Sequence, residues 1–463
     1  MTSDFLLTNA AAAGLYAQVK DLPIWDYHCH LSPQEIYENK PFTNIGEMWL
    51  KHDHYKWRLM RSYGIAEDLI TGAADWHSKF LAYARAVSTA AGNPLYDWTR
   101  MELFQIFGVE TQLNEENAEE IWEKTNRIIA GEELSPQKLM MRFRVRYIAT
   151  TDDPADSLEY HRRLREEKEF TAKAAPSFRT DALLHLRREG YIAYIEVLSK
   201  AAGLPIHDLA DFKDAICRRL DVFTENGCVF TDMGLPDFPG TIGDETQANA
   251  VFRQALAGGM VSQSAYNAFL GHMFVFLAGE YRRRNLVMQW HLGAARNVNT
   301  RLYRALGPDC GGDCIGDLVP GCRLLTVLDA IDQASGLPET ILYTLNPSAQ
   351  DQLVSIAGSF PGMHVGTAWW FCDHRQGIED SLRTTARIGH LETFPGMVTD
   401  SRSFMSYARH DYFRRILCDV LGQWVESGMF AGDAPHLARA LCGDTIRRMV
   451  EKRRGAESIP GKG

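Results

Sequence analysis

The sequence predicts an α/β fold, a (β/α)8 TIM-type barrel with a large helical insertion after its first strand. Three observations carry that expectation: eight short runs of strand character end in polar residues, amphipathic helical stretches lie between them, and the first run ends in His28-Cys29-His30. The runs are 22–30, 146–151, 176–179, 228–232, 286–291, 340–345, 364–370 and 397–400. The intervening stretches include 156–169, 378–388 and 404–427, each apolar on one face at helical spacing.

In the first run, Pro23-Ile24-Trp25-Asp26-Tyr27-His28-Cys29-His30, two imidazoles stand one residue apart. Alternate side chains of a strand share a face, so His28 and His30 can grip one divalent metal ion. About 115 residues then separate the first two runs and about 55 the fourth and fifth, which marks insertions. The first insertion carries helical patterns at 74–86 and 117–129, with a Gly92-Asn93-Pro94 break between segments. The expected division is a barrel of residues 1–31 and 143–455, a helical cap of residues 32–142, and a flexible C-terminal tail at 456–463. Insertions after a strand emerge at the active-site face, which brings His52, His54, Tyr55, Lys56 and Trp57 within reach of the pocket.

Barrels carry functional groups at the C-terminal ends of their strands. The ends here offer, in order, His28 and His30; Thr150 to Asp153; Arg179 with Asp181; Asp232; His291 with Arg296; Trp369 and Trp370; and Asp400 with Arg402. Asp400 ends the last run, beside the first in a closed barrel, so its carboxylate completes a metal site with His28 and His30. His291 is a fourth ligand or a nearby acid-base group. Two histidines and a carboxylate suit zinc, manganese or iron(II), with zinc the first expectation. Arg179, Arg296 and Arg402 gathered at one mouth imply an anionic ligand, and a carboxylate fits better than a phosphate because no phosphate-binding glycine loop is present.

Composition narrows the classes further. The 463 residues are 45% hydrophobic and 23% charged, with a formal charge of −10, which excludes wholesale disorder and opposes a nucleic-acid surface. No apolar stretch reaches membrane-spanning length and residues 1–18 lack the features of a signal peptide, so neither membrane nor export is expected. Nine scattered cysteines read as reduced thiols of a cytoplasmic protein. Cys310-x3-Cys314 has no matching pair nearby and is read as a loop with two thiols.

These residues resemble the glucuronate (uronate) isomerase family of the amidohydrolase superfamily over nearly the whole chain. The motifs are Asp26-Tyr27-His28-Cys29-His30-Leu31, His54-Tyr55-Lys56-Trp57-Arg58, Gly92-Asn93-Pro94-Leu95-Tyr96, Thr150-Thr151-Asp152-Asp153-Pro154, Ser177-Phe178-Arg179, Ala294-Ala295-Arg296-Asn297, Trp369-Trp370-Phe371 and Thr399-Asp400-Ser401-Arg402-Ser403-Phe404. The resemblance implies interconversion of D-glucuronate with D-fructuronate, and of D-galacturonate with D-tagaturonate. It implies His28, His30 and Asp400 at the metal, and His54, Arg179, Asp232, Arg296 and Trp369 at the substrate. Two stretches depart from the family pattern: Met233 stands where a histidine usually follows Asp232, and 443–450 lacks the usual asparagine and aromatic residues.

An aldose–ketose isomerisation of this kind moves a proton from C2 to C1 through a cis-enediol and needs no redox cofactor. Tyr55, Asp400 and Arg402 are the expected catalytic residues. Tyr55 is the first choice of base, with Arg402 or the metal depressing its pKa from the ordinary value of about 10, and Asp400 is the second choice. The expected partner is a small hexuronate, within a homo-oligomer. The alternative is a mononuclear metal-dependent hydrolase of the same superfamily. A binuclear one lacks ligands, since Asp232 and Leu345-Asn346-Pro347 stand where a bridging lysine and a histidine are usual.

Overall fold

Parallel strands run through the structure, a computed structural model that describes residues 4–454 except 235 and 237. Strands β1 (Ile24–Asp26), β2 (Val145–Asp152), β3 (Lys173–Arg179) and β4 (Thr231–Asp232) form one parallel half-barrel in that order. After β5 (Met288–Leu292), a short antiparallel pair intervenes, β6 (Ala294–Ala295) with β7 (Cys314–Ile315). Strands β8 (Thr340–Thr344) and β9 (Met363–Val365) then complete a second parallel sheet, ordered β5-β8-β9. Parallel bridges from Phe230 to Val287 and from Met233 to Trp290 link the two sheets.

Seven of the eight expected runs therefore contain a strand, and 397–400 contains none. The reason lies in its hydrogen bonds. The Thr399 amide donates to the Asp26 carboxylate at 2.9 Å rather than to a neighbouring main chain, and the backbone turns left-handed at Asp400 (φ 45°). The segment is still tied to the first run, because the Asp400 amide donates to His28 O and the His30 amide to Ser401 O, at 3.2 and 3.0 Å. The seventh run is a strand only over Met363–Val365, since residues 366–369 leave the ladder for the turn Trp370–Cys372.

Helices fill the connections, as βα alternation requires. The expected stretches appear as Glu159–Glu166, Arg375–Ile388 and Ala408–Glu426, and those between β1 and β2 as Trp76–Ser88 and Ala118–Glu132. The Gly92-Asn93-Pro94 break starts a helix, with Asn93 as its N-cap and Pro94 at its first position. Helices between β1 and β2 share one apolar core with Ala408–Glu426, through Trp98, Leu103, Phe107, Tyr412, Phe413 and Ile416. A separate cluster draws Trp25, Tyr147, Ala175, Phe230, Val287, Ile341, Tyr343 and Val398 together with Ile446, Met449 and Val450. The departing segment 443–450 thus plugs the floor of the sheet, and the expected tail 456–463 lies outside the described residues.

Glu339, at the start of β8, clasps that floor. It accepts from Arg453 of the last helix, Thr445–Arg454, and pairs with His364 of β9 at 3.1 Å. Burial pushes its carboxyl up, but His364 and Arg453 pull it further down, to about 2. A depressed carboxylate stabilises the fold fully above its unfolded pKa of 4.5, and the contribution fades as pH falls from there towards 2. Glu339→Gln should cost about 1–3 kcal/mol in urea unfolding at pH 7, shrinking towards zero below pH 3. A difference that stays constant from pH 7 to 3 would assign the loss to packing.

Candidate active site

The sheet's C-terminal ends open into a cavity of about 560 Å³. His28, His30, His54, Arg179, His291, Arg296, Trp369, Asp400 and Arg402 all line it, whereas Asp232 lies just beneath and Tyr55 to one side. Most of the residues expected from the sequence are therefore gathered at one mouth.

The seam between the first run and 397–400 builds the first cluster. Asp400 Oδ1 lies 3.3 Å from His28 Nε2 and 3.1 Å from His30 Nε2, while Trp369 Nε1 donates to Oδ2 at 2.7 Å. Burial opposes ionisation of Asp400, yet bonds from the two imidazoles hold it well below the usual carboxylate range. Burial drives His30 down to about 4, so that imidazole is neutral at pH 7. His28 is raised: burial opposes this, and the charges of Asp232 and Asp400 outweigh it.

Beneath lies a second cluster. Asp232 accepts from His291 Nδ1 at 2.8 Å and pairs with Arg179 Nη1 at 3.0 Å. Burial raises its pKa, but Arg179 and His291 pull it far lower. His291 stacks on Tyr343 with ring centroids 4.4 Å apart, which aims its buried Nε2, without a hydrogen-bond partner, away from Asp232. One ligand atom each from His28, His30 and Asp400 lies within 4.8 Å of the other two, and so do those of His28, Asp232 and His291. Both sets have donors suited to a divalent ion.

Three arginines of the mouth have carboxylate partners: Arg179 has Asp232 and Asp181, Arg296 has Asp313 at 3.0 Å, and Arg402 has Asp309 at 3.0 Å. Arg179 and Arg296 converge, since a Cβ on Gly234 would lie 3.3 Å from Nη2 of both. Arg402 also meets His54 Nδ1 at 3.2 Å, and burial with the Arg402 charge lowers the His54 pKa.

The helix His54–Tyr63 starts on Asp53, which accepts from the amides of Tyr55 and Lys56. That cap places His54 over the mouth and stacks it on Tyr55 at 5.1 Å. The cation over the Tyr55 ring is Arg409, 4.8 Å from its centroid, because Arg402 is engaged by His54 and Asp309. Burial raises the phenol well above 10 and Asp400 adds to this, while Arg409 opposes it. The hydroxyl is buried without a hydrogen-bond partner. Of the other residues expected to reach over the pocket, Lys56 turns into the core against Asp53 at 2.7 Å, Trp57 donates to Leu50 O, and His52 is exposed beside Glu35.

With the geometry in place, comparison with known proteins gives the relationship. A family model described as glucuronate isomerase matches residues 1–447. The chain belongs to the glucuronate isomerase family. A uronate isomerase of Caldanaerobacter subterraneus subsp. tengcongensis is 45% identical over 448 residues, 95% of this chain and 96% of that protein. One from Bacillus licheniformis is 43% identical over 450 residues, 96% and 95% of the two chains. The solved uronate isomerase of Thermotoga maritima superposes with a TM-score of 0.94 at 36% identity, covering 97% of this chain and 99% of that one.

The motifs read from the sequence do not account for every residue at the mouth. His185, Arg188 and Asp309 also line the cavity. His185 and Arg188 follow the third strand closely enough for their position to be a signal, whereas Asp309 lies in a Gly-Pro-Asp-Cys-Gly turn that gave none. Met233 is buried beside Trp290 of β5, so the departing position faces the core. Asp232→Asn should lower stability by about 2–3 kcal/mol, because it leaves the Arg179 charge with only the more distant Asp181. Thermal unfolding checks this, and an unchanged Tm would mean that Asp181 suffices.

Proposed function

We propose that the chain isomerises hexuronates at this mouth, D-glucuronate to D-fructuronate and D-galacturonate to D-tagaturonate. The convergence of Arg179, Arg296 and Arg402 on the cavity that also holds His28, His30 and Asp400 carries the reading. Guanidiniums match a carboxylate in bidentate geometry, and a sugar acid offers one at the end remote from its reacting carbons. We take 397–400 as the eighth position of a closed barrel, residues 1–31 and 143–455 as that barrel, and 32–142 as its cap. Nine unbridged cysteines suit a reducing cytoplasm.

His28, His30 and Asp400, with His291 through its unpartnered Nε2, would hold one divalent ion, zinc before manganese or iron(II). When bound, the ion supplies positive charge to a developing oxyanion. The arginines orient the uronate, and the cap excludes water. Asp400, ionised at the cavity wall, is the base for the C2 proton and returns it to C1. Tyr55, kept protonated by burial, serves the sugar oxygens as a neutral hydroxyl that donates and recovers a proton. This reverses the first choice of base made from the sequence, on the ground that the phenol's environment favours its neutral form. Electrons stay within the substrate, so no redox cofactor takes part.

A coupled assay on D-glucuronate and D-galacturonate tests the activity. Arg402→Met and Arg179→Met should each weaken uronates by about 10- to 100-fold, with little effect on neutral hexoses, because each removes a charge-assisted pair. Equal losses for charged and neutral sugars would make these arginines structural.

C2-deuterated D-glucuronate tests the proton route. Part of the label should exchange with solvent, and Asp400→Asn should cut turnover by about 10²–10⁴-fold. Tyr55→Phe should keep the fold, lose less turnover than Asp400→Asn, and retain exchange at C2. If Tyr55→Phe abolishes exchange as completely as Asp400→Asn, Tyr55 is the carbon base. Full retention of label in the parent would favour a hydride shift.

A further inference from the structure

Three of the arginines that an anion meets in this mouth already have carboxylate partners, and those partners differ in freedom. Asp232 and Asp313 have side chains only 1% and 5% exposed, whereas the Asp309 side chain is 54% exposed. The titratable groups facing Asp309 are Arg402, His30, His54, Arg296 and Arg179, and the three guanidiniums make the field its carboxylate occupies one that an anionic ligand would also occupy.

The surroundings of Asp309 permit it to leave. Pro308, Asp309 and Arg402 also line a second cavity of about 350 Å³, which lies against His52 and Trp57. The carboxylate therefore forms part of a wall with open space on both faces. Its backbone is left-handed (φ 57°) between Gly307 (φ 81°) and Gly311 (φ 82°), a conformation that a non-glycine residue keeps only under constraint. The preceding helix, Thr300–Leu306, has no buried residue. Beyond Asp309 the chain is clasped to the cap helix, since Arg61 donates to Cys310 O and Arg58 to Asp313 O at 2.7 Å. One flank is loosely covered and the other is anchored, so rotation at Asp309 costs little burial.

We propose that Asp309 is a displaceable counter-anion: it holds Arg402 in the empty mouth and yields that guanidinium to the carboxylate of the entering sugar acid. Carboxylate replaces carboxylate at Arg402, so its charge is never left bare. Displacing an intramolecular partner weakens every competing anion by the same factor, so only one with further contacts, as the sugar acid has, still binds at low concentration; Asp309 sets that threshold and is not a catalytic residue. The idea rests on the uronate reading of this mouth.

The test uses the full chain and two probes, D-gluconate, a sugar-acid anion without a carbonyl, and inorganic sulfate. D-Glucitol serves as the neutral control. By calorimetry, Asp309→Asn should tighten D-gluconate about two- to fivefold, the range that removal of a half-exposed ion pair allows. Sulfate should tighten by a similar factor and D-glucitol should not change. The gain should vanish when Arg402→Met is added to Asp309→Asn. Unchanged or weaker gluconate binding, an equal gain for glucitol, or a gain that survives Arg402→Met would each overturn the proposal. A parent chain inactive on uronates whose Asp309→Asn variant shows the anion gain would sink the functional reading alone. An active parent without the gain would sink the counter-anion alone.

Discussion

The buried carboxylate of Asp26 is the constraint on which the site depends. It is fully buried, yet it accepts from both the amide and the hydroxyl of Thr399, a residue 373 positions away. Burial raises its pKa to about 6 and the Thr399 bonds oppose that, so the group remains largely ionised at neutral pH. An unpaired carboxylate at that depth would cost several kcal/mol, and Thr399 satisfies it through both its amide and its hydroxyl. Once Thr399 is fixed, Asp400 falls beside His28 and His30. A side chain thus performs the alignment that a strand ladder performs elsewhere in the sheet.

From this seam a buried network runs into the helices between β1 and β2. Arg409 donates to Thr399 O at 2.9 Å and lies over Trp98 and Tyr55, 4.0 and 4.8 Å from their ring centroids. Its charge is shared among Asp53, Asp373 and Glu102. Lys56 bridges Asp53 and Glu102, and Glu102 accepts from the Trp49 indole at 2.6 Å. Such a network adds little net stability over an apolar core, because desolvation offsets most of the attraction. What it fixes is position. Removing any one charge unbalances the buried remainder, so the helix His54–Tyr63 and the seam at 397–400 are held in one arrangement, and Tyr55 with them.

Much of the candidate site was legible because the C-terminal ends of parallel strands gather at one mouth. Reading the ends in order singled out His28, His30, Arg179, Asp232, His291, Trp369, Asp400 and Arg402, which the structure places in or beneath one cavity. The eighth strand was misjudged for a physical reason. The run 397–400 has strand composition, but its hydrogen-bonding capacity is diverted to Asp26 and to a left-handed turn, neither of which leaves a local pattern. Asp309, Asp373 and Arg409 were invisible for a related reason. Their importance lies in which charge faces which across loops and helices far apart in the chain, and no spacing rule encodes that. Tyr55 shows the limit from another side: its identity was legible, but the cation beside it was not, and the balance of burial against charge decides its protonation.

Four of the ten non-glycine residues with positive φ among the described residues lie at or next to the cavity wall. Asn297, Asp309, Trp370 and Asp400 all have positive φ without being glycine, and three of the four line the cavity. Each such residue costs about 1 kcal/mol or more relative to an extended or helical backbone, and it persists only where surrounding contacts over-determine it. Asp400 has three: two imidazoles and the Trp369 indole. Trp370 lies under Arg296 and against Phe371. Asn297 is pinned by its amide to Asp313 at 2.6 Å. At Asp309, by contrast, the side chain has a single half-exposed ion pair to Arg402. Three of these positions are over-determined by their contacts, whereas the fourth is held by one half-exposed ion pair.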